Sequence, residues 1–175
     1  MLSNVTVAVT TGMLAADPDR RSTLFRVLRL DGVLAIAVTG VVFHLALSDL
    51  QELTGWNAFA DFVLHTLSPI LAVAGWVLFG PRGHLSPRVV ALSVVAPVLW
   101  LAYTLVRGTL VQDRFGDDYY PYPFMDVQEH GYPVVLVNCA VVAVLFLALA
   151  YGALLLDRRL RRGGAGAPAP QTPPA

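Results

Sequence analysis

The longest runs without a charged side chain constrain this chain most. Residues 62–81 lie between Asp61 and Arg82, and residues 131–156 between His130 and Asp157. Two further runs cover 32–48, between Asp31 and Asp49, and 89–106, between Arg88 and Arg107. A helix needs about 20 residues to cross a hydrocarbon core about 30 Å thick. Runs of this length therefore read as membrane-spanning helices. Residues 1–16 form a fifth, shorter apolar segment that carries Asn4, Thr6, Thr10 and Thr11.

Composition agrees. Hydrophobic residues make up 56% of the chain and charged residues 14%, against about 25% charged in soluble domains. The formal net charge is zero, so there is no basic field for a nucleic acid. The lone Cys139 excludes an intramolecular disulfide and a cysteine zinc finger. The expected fold class is all-α: an integral membrane helical bundle with five transmembrane segments. They cover about residues 1–16, 30–48, 58–80, 89–107 and 131–156. Residues 158–175 form a tail, basic and then rich in Pro, Ala and Gly. Its last part buries too little apolar surface to fold and is expected to be disordered.

No Lys or Arg precedes Asp17. A signal peptide needs a positive region before its apolar core, so residues 1–16 read as a helix that is kept. All twelve basic residues are Arg. With five alternating spans, every Arg except Arg107 and Arg114 falls on one side. Cytoplasmic loops accumulate positive charge, which puts the C-terminus inside the cell and the N-terminus outside. The outer side carries Asp49, Glu52, Asp61, Asp113, Asp117 and Asp118, with Asp126 and Glu129. Its long loop, residues 107–130, holds Tyr119-Tyr120-Pro121-Tyr122-Pro123-Phe124. Such a loop is either an interfacial aromatic belt or a lid over the helix ends.

Ionisable groups inside a span cost about 2.5–3.5 kcal/mol at its centre. His44 and His65 both fall in the outer third of their segments. Asp61 lies four residues before His65, on the same helical face, where it can orient the imidazole. Pro69 lies four residues after it and frees the His65 carbonyl. His65, Thr66 and Pro69 thus read as a polar, kinked site. The other reading is a histidine paired to a neighbouring helix or to interfacial water. Asn138 is expected to make an interhelical hydrogen bond, and Thr39 to bond its own helix. Trp76 and Trp100 read as packing or boundary anchors, His84 as a solvated loop residue and His130 as the start of the last span. Two histidines on adjacent helices could hold a haem iron, but His84 and His130 lie in loops and deny a four-histidine pattern. No cofactor and no metal site are expected. GxGxxG, P-loop, HExxH and GxSxG motifs are absent.

Three stretches carry a resemblance: "VLRLDGVLAIAVTGVVFH" at 27–44, "HTLSPILAVAGWVLFGPRG" at 65–83 and "YPYPFMDVQEHGY" at 120–132. Together they make the chain similar, from Met1 to about Leu156, to the bacterial, mainly actinobacterial, branch of the androgen-induced-gene and androgen-dependent TFPI-regulating protein superfamily. The resemblance implies a multi-span membrane protein, usually of six helices. Animal members hydrolyse fatty acid esters of hydroxy fatty acids with a nucleophilic threonine and a histidine. His65, followed by Thr66 and Pro69, matches the family histidine. The family threonine stands shortly before a Ser-Asn pair, matched here by Ser3-Asn4, and so falls immediately before Met1. The expectation is that a further helix and the threonine lie upstream. Thr6, Thr10 and Thr11 are poorly positioned substitutes.

The implied chemistry is acyl transfer on a lipid ester with His65 as general base; the four-residue spacing, not the resemblance, offers Asp61 as a candidate orienting carboxylate. Asn4, His44 and Asn138 are candidate oxyanion donors, and Tyr122 and Phe124 candidate binding residues in the outer loop. The expected partners are membrane lipids and the expected location a cell membrane. The alternative is a non-catalytic membrane lipid-binding or scaffold protein.

Overall fold

The computed structural model describes residues 1–48, 52–112 and 119–164. Asp49, Asp113, Arg114, Asp117 and Asp118, counted above in the outer loops, lie outside the described residues. So does the tail from residue 165 onward.

Among the described residues the chain is all-α. Helix α1 spans Leu2–Ala16, and α2 spans Thr23–Val42 and runs on through a π-helical turn, Phe43–Leu47. Helix α3, Gly55–Phe62, passes through a second π turn, Val63–Leu67, into α4, Ser68–Phe79. Helices α5, Pro87–Ser93, and α6, Val95–Leu110, follow. A 3-10 turn, Pro123–Met125, leads into α7, Val127–Gly164.

Four continuous helical stretches are long and apolar enough to cross a membrane: Thr23–Leu47, Gly55–Phe79, Pro87–Leu110 and Val127–Arg162. Leu2–Ala16 is apolar but shorter. Only 11% of the most apolar window of Gly55–Phe79 is buried inside the protein. Trp56, Phe59, Ile70, Leu71, Leu78 and Phe79 face outward along it. Helices that are apolar on their outer faces are stable in lipid, not in water. The fold therefore fits an integral membrane bundle.

The breaks in the helices have local causes. Ser22 caps α2, its Oγ accepting the Phe25 N–H at 3.3 Å. Pro97 has no N–H for the Ser93 carbonyl, and the ladder breaks between α5 and α6 at that level. Asp126 caps α7 by accepting from Gln128 N–H at 2.8 Å. One turn on, Gly131 takes φ +73, a left-handed conformation, and the helix kinks there before Pro133.

Helix α2 is the hub, packing against α1, α4, α5 and α7. Two glycines let its neighbours approach. A Cβ at Gly32 would lie 3.0 Å from Thr6 Cγ2 of α1, and one at Gly40 would lie 3.0 Å from Pro69 Cβ of α4. Small residues at such crossings let backbones come close. The main apolar core joins Leu30 and Leu34 of α2 to Val89 and Val90 of α5 and Phe146, Ala150 and Leu154 of α7.

Candidate functional site

The two π turns face each other across the α2–α4 crossing, and each carries a histidine. The second turn lies just ahead of Pro69, which has no N–H to offer the His65 carbonyl. Such single-turn π bulges often mark functional positions.

His65 Nδ1 donates to Asp61 Oδ1 at 2.8 Å, as the four-residue spacing leads one to expect. Both side chains are largely covered, at 30% and 25% exposure. The bond fixes the tautomer and leaves Nε2 of the neutral ring as an acceptor. The phenyl ring of Phe43 stacks on the imidazole with centroids 4.4 Å apart and planes 10° apart. Phe43 also meets the edge of His44 at 5.3 Å. One aromatic ring thus contacts both histidines and holds the plane of His65.

His44 is held differently. Its Nδ1 lies 2.8 Å from the Gly40 carbonyl, which can only accept, so Nδ1 donates. In the neutral ring Nε2 is then an acceptor, and the Thr66 hydroxyl donates to it at 3.2 Å. Both nitrogens of His44 are engaged, and the ring ties α2 to the turn after α3.

The start of α1 joins this group. Asn4 Nδ2 donates to the Leu64 carbonyl at 3.4 Å. Ser3 Oγ lies 3.5 Å from Thr39 Oγ1, which itself donates to the Ala35 carbonyl at 2.8 Å. Thr39 therefore bonds its own helix. Asn4, His44, Asp61 and His65 are brought together around one end of the α2–α4 crossing.

The remaining candidates form a second group. Tyr122 and Phe124 stack at 5.4 Å, and Trp100 of α6 lies 6.0 Å from Tyr122. Asn138 Nδ2 donates to the Phe124 carbonyl at 2.9 Å. Its partner is the aromatic loop and not the flanking helix expected from the sequence. Tyr120 packs on Gly108 of α6, where any side chain would collide with its ring. Burial pushes the Tyr122 phenol above its usual range. The Tyr-Pro-Phe segment is thus seated on α6 and α7. No hydrogen bond or ring contact among the described residues joins it to His65.

Phe43, Gly40 and the Thr66–His44 bond were not singled out by sequence reasoning. The available signal was the four-residue step from Gly40 to His44, which mirrors the steps from Asp61 to His65 and from His65 to Pro69. Among the described residues, no group of three or more His, Cys, Asp or Glu side chains could hold a metal ion.

No family model, curated protein or solved structure matches the chain.

Proposed function

We propose that the protein is a multi-pass membrane hydrolase of lipid esters, working at the His65 end of the bundle. The observation that carries this reading is the Asp61–His65 pair. A carboxylate 2.8 Å from Nδ1 orients the ring and leaves Nε2 as a base. The resemblance to the androgen-induced-gene superfamily implies a threonine as the nucleophile. The Asn4–Leu64 contact holds the start of α1 against the His65 turn.

In this reading the threonine hydroxyl attacks the ester carbonyl as His65 Nε2 takes its proton. The ester C–O bond breaks, and the leaving alkoxide receives that proton from His65. Water, deprotonated by the same nitrogen, then releases the fatty acid. The C-terminus lies in the cytoplasm and the site in the outer leaflet of the cell membrane, where an acyl chain can enter between helices.

A second reading, non-catalytic lipid binding, draws on the Thr66–His44 bond. Thr66 adjoins His65 in sequence, yet its hydroxyl is engaged by the other histidine. The discriminating experiment uses protein expressed from its native locus and a fatty acid ester of a hydroxy fatty acid. Hydrolysis that disappears in His65→Ala, with lipid binding retained, supports the hydrolase. Lipid binding without turnover in the wild type supports the second reading.

A further inference from the structure

The opposite end of α2 holds a polar cluster that the hydrolase reading does not use. Val27 and Leu30 pack with Leu85 and Val89 in the core. That packing carries Arg26 and Arg29, three residues apart on one helical face, to His84, the neighbour of Leu85. The loop is held rigidly. Asp157 of α7 is 1% exposed and accepts the N–H groups of Gly83 at 3.0 Å and Leu85 at 3.2 Å. A Cβ at Gly83 would lie 2.9 Å from Arg161 Cδ, so Arg161 runs along the same loop.

Arg21, Arg26 and Arg29 therefore act together on His84, with Arg161 along its loop, and the nearby acids do not neutralise them. The Asp157 carboxyl is already bonded to two backbone amides. Asp31 keeps a buried Oδ1 without a partner. No ion pair among the described residues joins Arg26 or Arg29 to a carboxylate. The Nε atoms of both arginines and Nδ1 of His84 are buried and make no hydrogen bond among the described residues. Desolvated polar groups without a partner are costly, and two guanidinium donors together call for an anion. The imidazole responds to the same field. Burial and the charges of Arg26 and Arg21 hold His84 below its usual range, Arg29 adds to this, and Asp157 opposes it.

We propose that Arg26, Arg29 and His84, assisted by Arg21 and Arg161, bind the phosphate of an anionic phospholipid. A guanidinium matches a phosphate with two parallel N–H donors. The cluster lies where the apolar run of α2 ends, at headgroup depth for a spanning helix. Leu24 and Leu28 are exposed on the same turns, on another face of α2.

The test is thermal unfolding of the full chain in detergent, with phosphatidylglycerol, phosphatidylcholine or inorganic phosphate added. Phosphatidylglycerol should raise the midpoint saturably and phosphatidylcholine should not. The rise should vanish in the Arg26→Gln/Arg29→Gln variant and persist in Arg88→Gln, which removes an exposed arginine at the same end. An equal rise with inorganic phosphate at the same concentration would overturn the lipid assignment. No rise, or an equal loss in Arg88→Gln, would overturn the site. If the double variant does not fold, native mass spectrometry of the wild type and of Arg26→Gln decides. Phosphatidylglycerol should be retained by the first and lost at least tenfold more readily by the second, and equal retention would refute the proposal.

Discussion

The two ends of α2 solve the problem of polar groups in an apolar bundle in opposite ways. At the His65 end each group finds a partner within a turn or across one crossing. Asp61 takes His65, Gly40 and Thr66 take His44, and Leu64 takes Asn4. At the arginine end the loop backbone is satisfied by Asp157, while the Nε–H donors of Arg26 and Arg29 and the Nδ1 of His84 are buried without a partner among the described residues. A closed network fixes geometry, as acid–base chemistry requires. An open cluster of one sign awaits something from outside.

The largest effect expected on the closed end is on rate. Asp61→Asn keeps the size of the side chain but alters its hydrogen bonding to the imidazole. Lipid-ester turnover should fall by about 10²–10⁴-fold, with an altered pH profile and an unchanged unfolding midpoint. A variant that loses turnover only in proportion to its loss of folded protein would assign Asp61 a structural part alone.

The largest effect on stability belongs to the other end. Asp157→Ala leaves two loop amides without their acceptor, and hydrogen bonds to a charged group contribute about 1.5–3 kcal/mol each. Thermal unfolding in detergent should show a loss of about 3 kcal/mol or more. The same variant should leave ester turnover of the folded fraction intact. If turnover also collapses, the two ends are not separable.

Gly40→Val tests the crossing that assembles the closed network. Its Cβ would press on Pro69, and overpacking of this kind costs about 1–3 kcal/mol. Turnover should fall with it, because α2 and α4 can no longer hold Phe43 on His65. Thr66→Val removes only the bond to His44. About 0.6 kcal/mol is expected from a hydrogen bond between membrane helices, with turnover nearly unchanged. A large loss of turnover would move Thr66 into the reacting group.

The smallest effect is a pH dependence at the open end. The His84 imidazole is held below the ordinary histidine value of about 6.5 by burial and by Arg26 and Arg21, with Asp157 opposing. As pH falls through that value, the unfolded chain takes up a proton that the folded chain resists. Stability should therefore decline below about pH 6.5, and His84→Gln should flatten the decline. Phosphatidylglycerol should flatten it as well, since a bound phosphate favours the charged ring.

Much of this was legible in the sequence where the physics is local. Charge-free runs marked the apolar helices, because a spanning helix tolerates few charges. The Asp61–His65 pair followed from a four-residue step on one helix. The π turns at Phe43 and Val63 were not legible, since they shift helical phase without altering composition. The contacts of Asn4 with Leu64 and of Asn138 with Phe124 depend on how separate segments pack. His84 read as a solvated loop residue, yet its Nδ1 is buried. Arg26, Arg29 and Asp157 each looked like the end of a helix or an orientation signal. Their convergence with His84 depends on α2, α5 and α7 meeting, which no single stretch of sequence records.

The central claim is that the Asp61–His65 pair activates a nucleophile for attack on lipid esters. It is tested most directly by the intact mass of natively expressed protein after exposure to a long-chain fluorophosphonate. One covalent adduct per chain on a threonine, absent in His65→Ala and displaced by excess lipid ester, is the predicted result. A chain that remains unlabelled while fully folded, or that labels equally well without His65, would contradict it.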